Sequence, residues 1–199
     1  MPPVSNTPSG MDAERFLSNT ISILASSADL SATVDNLARL ATSELADCCV
    51  IFMFENEQTI RRLAMAYKGK PGSGNSQADT LYPLELHAAA GPARVLRTGE
   101  CDMAAVTPDV IAGLGLNSDE LATALNRLPA IYICMPIVAR GRIIGAIAFF
   151  SVESKRAFAD AEMSLMRGLA NAAGVAIDDA KLYREAQEAN RLKDEFVAM

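Results

Sequence analysis

Histidine occurs once, at position 87, and tryptophan not at all. One imidazole leaves no Cys/His cluster to converge on a metal, and His87 is the sole candidate for histidine-based acid–base chemistry. The four cysteines, Cys48, Cys49, Cys101 and Cys134, contain no C-x-x-C pair, so zinc and thioredoxin-like readings have no support. There is no G-x-S-x-G elbow and no G-x-x-x-x-G-K-[ST] loop; GKPGSG, residues 69–74, fails the phosphate-loop spacing and reads as flexible loop. A basic excess is also missing. Eighteen Lys and Arg stand against 24 Asp and Glu, a net charge of −6, which argues mildly against nucleic acid and anionic membrane surfaces, because both prefer basic patches. No apolar run approaches the roughly 18 residues a membrane span needs. The first ten residues, MPPVSNTPSG, are polar and Pro-rich and lack the basic start and apolar stretch of a signal peptide. A disordered tail over 1–10 and a cytoplasmic location are the expectations.

What is present is enough apolar material for a sizeable core, 50% of 199 residues. Residues 11–29 have helical spacing, and a second helix follows, SATVDNLARLATSELA, with Ser31 as its expected N-cap and Val34, Leu37, Ala38, Ala41 and Leu45 as its apolar stripe. CCVIFMFEN is β-branched and aromatic, as a strand would be, and puts Cys48 and Cys49 on opposite faces. TIRRLAMAYKG reads as its hairpin partner, with Leu63, Met65 and Tyr67 on one face. Residues 69–79 read as a loop. GPARVLRTGE reads as a short helix opened by Pro92 and closed by Gly99. SDELATALNRL reads as another helix, and the connector between the two as including a short strand.

The segment AIYICMPIVARGRIIGAIAFFSVES is two apolar strands around a tight turn at Arg140-Gly141-Arg142. Both strands are apolar on both faces, which places this hairpin centrally in a sheet covered on each side. Residues 159–199 then form one long helix. The order predicts an α+β, three-layer α/β/α sandwich around a central antiparallel sheet. The terminal helices cover one face and the middle segment the other.

MPIVARGRIIGAIAFFSVESKRAFADAEMSLMRGLANAAGVAIDDAKLYREA resembles the C-terminal half of a GAF domain, through Pro136, Gly141, Gly145, Phe158, Glu162, Leu169, Ala170, Ala176, Ala180, Leu182 and Tyr183. GPARVLRTGE resembles the helix and turn that precede it in that family. The resemblance implies a GAF-like sensor domain over 11–185. EANRLKDEFVAM is similar to the linker of bacterial sensor histidine kinases ahead of the phosphoacceptor His box, so residues 186–199 read as the start of a coiled-coil linker to a kinase dimerisation and phosphotransfer domain. This implies a two-component signalling role in which the fragment itself is not an enzyme and its parent is a protein histidine kinase.

Family ligands are tested residue by residue. Covalent bilin attachment needs a Cys-His dipeptide, which is absent. Cyclic-nucleotide binding needs an adjacent Asp-Glu pair, whereas Phe158 is followed by Asp160 and Glu162. Haem ligation would rest on His87 alone. A small-molecule pocket between sheet and middle segment would be lined, by the resemblance and strand alternation, by Val50, Phe52, Tyr67, His87, Val95, Tyr132 and Cys134. The alternative for each is ordinary core. In the last helix, Leu169, Ala173, Ala176, Ala180, Tyr183, Ala186 and Asn190 repeat at coiled-coil spacing and are the expected seam of a parallel homodimer, helped by helix 11–29. Val175, Leu182, Ala189 and Phe196 form a neighbouring row at intervals of seven. A ligand-free structural spacer and a free-standing methionine sulfoxide reductase on this fold are the competing readings.

Overall fold

Both apolar strands predicted to be central lie inside the sheet, the second at its middle and the first one strand from an edge. β5 (Ile131–Ala139) and β6 (Arg142–Ser151) pair antiparallel, joined by a two-residue turn in which Arg140 and Gly141 both have positive φ, 49° and 75°. That backbone matches the twist of the strands it joins. A computed structural model describes residues 16, 18, 20, 29–56, 59–68, 80–83, 90–107, 110, 131–151 and 158–197. Within them, α1 spans Leu30–Glu44, β1 Cys48–Asn56, β2 Thr59–Tyr67, β3 Thr80–Pro83, α2 Gly91–Thr98, β4 Asp102–Ala105 and α3 Asp160–Val197. The strands form one antiparallel sheet in the order β3-β2-β1-β6-β5-β4. The expected helix 118–128 and loop 69–79 lie outside the described residues, as does most of helix 11–29, of which Phe16, Ser18 and Thr20 are helical.

Alternation along the strands sorts the side chains into two cores. One face of the sheet carries Cys49, Ile51, Ala64, Ile133, Met135, Ile137, Ile147 and Phe149, and is covered by α1 and α3. The other carries Cys48, Val50, Phe52, Tyr132, Cys134, Ala148 and Phe150 beneath α2. Cys48 and Cys49 do face opposite ways. Two expectations need correction. Asp29, not Ser31, caps α1, its carboxylate accepting from the Ala32 N–H at 3.1 Å. Leu63 does not share a face with Met65 and Tyr67. The β1–β2 register slips between Ile51 and Phe52, so Leu63 packs with the α1/α3 core and the other two with the α2 core.

Helix α3 lies across β5 so closely that a methyl group added at Gly174 would sit 2.0 Å from the Val138 carbonyl oxygen. Its inward row is Leu165, Met166, Leu169, Ala170, Ala173, Gly174, Ile177 and Ala180, all buried. From 181 to 197 every residue is exposed. Charged residues become frequent from Lys181 onward.

Candidate functional site

The expected pocket residues come together, but as a closed core. Val50, Phe52, Val95, Tyr132 and Cys134 share the α2 face of the sheet, each with 0% exposure, and Tyr67 packs half-buried at its margin. Solvent reaches none of the first five, so they pack as interior rather than as the wall of an open cavity. His87 lies outside the described residues.

Polar chemistry on this face is concentrated at the start of α2. Ala90, the N-cap position, offers no side-chain acceptor. The carboxylate of Asp102, from β4, replaces it: Oδ2 accepts the Gly91 N–H at 2.6 Å and the Tyr132 hydroxyl. The Gly91 N–H also reaches the Tyr132 oxygen at 3.1 Å. Arg94 closes the group, with Nη1 3.5 Å from Asp102 and Nη2 3.1 Å from Glu100. The Tyr132 ring stacks on Phe150 with centroids 6.1 Å apart. Burial first, and then the hydrogen bond to Asp102, pushes the Tyr132 phenol well above its ordinary 10.0. The cluster pins α2 to the sheet. Asp102 escaped the sequence reading because a cap supplied from eleven residues downstream leaves no local signature.

Arg62 was missed as well. It is 2% exposed and belongs to the Phe52 row, on the α2 face. Burying a guanidinium is costly unless other charges or hydrogen bonds compensate. The signal was the pair Arg61-Arg62 inside a strand, where alternation sends one of the two inward.

The thiols are held toward the protonated form. Burial pushes Cys48, Cys49 and Cys134 up, and partial desolvation also raises Cys101, the exposed one. A raised pKa lowers the thiolate fraction on which reactivity depends.

The expected helical seam divides in two. Leu169, Ala173 and Ala180 are buried within the chain's own core and Ala176 is half-buried against it, so these four are not free to meet a second copy. Their small, apolar character serves contact with the sheet. Tyr183, Ala186 and Asn190 are exposed. The row facing solvent is the neighbouring one: Val175 is 62% exposed, Leu182 40% and Phe196 76%, with Ala189 between them. No helix among the described residues is long and apolar enough to cross a membrane.

A family model described as GAF domain matches residues 27–178. No curated protein matches the sequence. Among solved structures, the GAF domain of a phosphoenolpyruvate-protein phosphotransferase from Coxiella burnetii superposes with a TM-score of 0.66 at 16% identity, over 89% of this chain and 98% of that one. A fragment of a methyl-accepting chemotaxis protein gives 0.62 at 19%, over 82% and 97%. The free methionine-R-sulfoxide reductase of Neisseria meningitidis, solved with its substrate, gives 0.62 at 15%, over 86% and 92%. At these identities the likeness is one of fold.

Proposed function

The chain belongs to the GAF domain family, a sensory and regulatory fold that is generally non-catalytic, and from that premise we propose that it is the signalling module of a bacterial sensor histidine kinase. In this reading α3 carries the output toward the kinase by pairing in parallel with the same helix of a second copy. The observation that carries the reading is the exposed row Val175, Leu182, Ala189 and Phe196 on a helix that runs on past the sandwich. Small or apolar residues at intervals of seven fill one of the two positions per heptad that a two-helix seam uses, and Ala186 and Leu192 add apolar surface beside that row. The linker-like EANRLKDEFVAM lies on this same stretch.

Sedimentation velocity at high micromolar concentration tests the pairing. The chain should run as a dimer, and Leu182→Asp with Phe196→Asp should run as a monomer with an unchanged far-UV spectrum. A monomeric parent chain overturns the proposal. In a Cys101→Ser background, Phe196→Cys should cross-link on oxidation, because position 196 meets its own mate only when the helices run parallel.

The closed α2 face favours a second reading, a relay or spacer that holds no ligand there. Val50, Phe52 and Tyr132 have no surface for a small molecule to touch unless their cover moves. Native mass spectrometry of the protein purified from cells, with hydrogen exchange over α2 alongside, distinguishes the readings, since a small molecule held on this face requires its cover to open. The reductase reading draws its support from the Neisseria neighbour alone; turnover of free methionine sulfoxide would revive it.

A further inference from the structure

On the sheet face opposite the closed core, a cleft of about 710 Å³ opens where α3 leaves the sandwich. Its walls come from three places: the first turn of α1, the ends of β1 and β2 where they adjoin, and the first exposed turn of α3. The volume falls within the roughly 300–1,000 Å³ usual for small-molecule sites. The cleft is separate from the buried Tyr132–Asp102 cluster, which lies on the other side of the sheet.

Cationic side chains converge on it from two of those elements. Arg61 enters from β2, and Lys181 and Arg184 from α3. The inward row of α3 runs Ala173, Ile177, Ala180 and then becomes Lys181 and Arg184, so it turns from apolar to basic where the sheet stops. The acids of the cleft are already engaged. Glu55 accepts from Arg61 Nε at 2.8 Å, and Asp29 accepts from the first turn of α1. Lys181 and Arg184 make no ion pair among the described residues. Two cations thus overhang a concave surface with apolar floor residues Val34 and Leu63. A guanidinium fork beside an ammonium suits an anion bearing two charges.

We infer that this cleft is a binding site for a small dianion, a phosphoryl or dicarboxylate compound, seated between Arg61, Lys181 and Arg184. The occupant bridges the sandwich and the first exposed turn of α3, so it touches the output helix directly. The inference does not depend on whether α3 pairs with a second copy.

Isothermal titration with inorganic pyrophosphate and, separately, with succinate tests it, at an ionic strength held constant with chloride because exposed charges are screened over about 10 Å. At least one of the two should bind saturably at one site per chain. Lys181→Gln with Arg184→Gln should weaken that binding at least tenfold while leaving the melting temperature unchanged, since both side chains are exposed. Arg191→Gln, one charge fewer on the same helix but outside the cleft, should bind as the parent does. Saturation by pyrophosphate alone assigns a phosphoryl ligand, and by succinate alone a dicarboxylate. No saturable binding of either compound overturns the inference. So does binding that ignores the double substitution, or that Arg191→Gln weakens equally.

Discussion

The two halves of α3 are one continuous helix with two different relations to the rest of the molecule. Over residues 160–180 it is clamped onto β5, with Leu169, Ala173 and Ile177 fully buried and its backbone against Val138. Over 181–197 every residue is exposed, and its apolar residues Leu182, Leu192, Phe196 and Val197 stand in water. The first half is held by packing, which a single chain supplies. The second has intrinsic propensity and i,i+4 pairs such as Arg191–Glu195, at 3.1 Å, worth only a few tenths of a kcal/mol each. Isolated helical stretches of this length are marginal in water. The contrast therefore bears on folding: changes in the inner half should alter stability, and changes in the outer half should leave it nearly unaltered.

The largest effect that tests this contrast comes from leucine truncations in the two halves. Leu169→Ala should cost about 2–5 kcal/mol in urea unfolding, the range for a buried leucine that leaves a cavity. Leu182→Ala should stay within about 0.5 kcal/mol in dilute solution, as surface changes do. Equal losses would mean that the outer half packs on its own chain.

Gly174→Ala sharpens the same contrast with an intermediate effect. Helix propensity alone favours alanine by about 1 kcal/mol. The added methyl would meet the Val138 carbonyl, which is backbone and cannot swing away. Overpacking of this kind costs roughly 1–3 kcal/mol, and so close an approach to backbone belongs at the upper end, so thermal denaturation should show net destabilisation. A stabilised variant would show that α3 rides higher above the sheet than described.

The smallest effect lies away from α3, on the other face. Tyr132→Phe removes the hydroxyl that Asp102 accepts from, at a cost of about 1–2 kcal/mol near neutral pH. The pH dependence is the distinguishing readout. The phenol is raised above 10.0 in the folded chain, so its contribution is full below pH 10 and is lost as pH climbs through the folded value. Unfolding free energy measured from pH 9 upward should fall more gently in Tyr132→Phe than in the parent. The decline owed to the raised thiols of Cys48, Cys49 and Cys134 remains in both.

These contrasts also mark how far the sequence is legible. The hairpin Ile131–Ser151 and the order of layers were readable because β periodicity and a Gly turn are local signals. The helical seam was not, because Leu169, Ala173 and Ala180 carry the same spacing whether they meet a sheet or a second helix. Heptad counting finds a stripe and is silent on its partner. Leu63 was misplaced by a bulge, which shifts parity without leaving a residue type as its mark. On the α2 face, Val50, Phe52, Val95, Tyr132 and Cys134 were correctly grouped, since alternation fixes sidedness. Whether that group encloses a cavity depends on side-chain volumes in three dimensions, which alternation does not encode.

The close approach of Gly174 to Val138 has a mechanical consequence. Without a side chain between helix and strand, that contact is a fulcrum, and the Arg140–Asp178 ion pair at 2.7 Å tethers the helix just beyond it. At about 1.5 Å per residue, the arm from 181 to 197 extends roughly 25 Å. A rotation too slight to disturb the packing at the pivot is magnified along that arm into a displacement of ångströms at its tip.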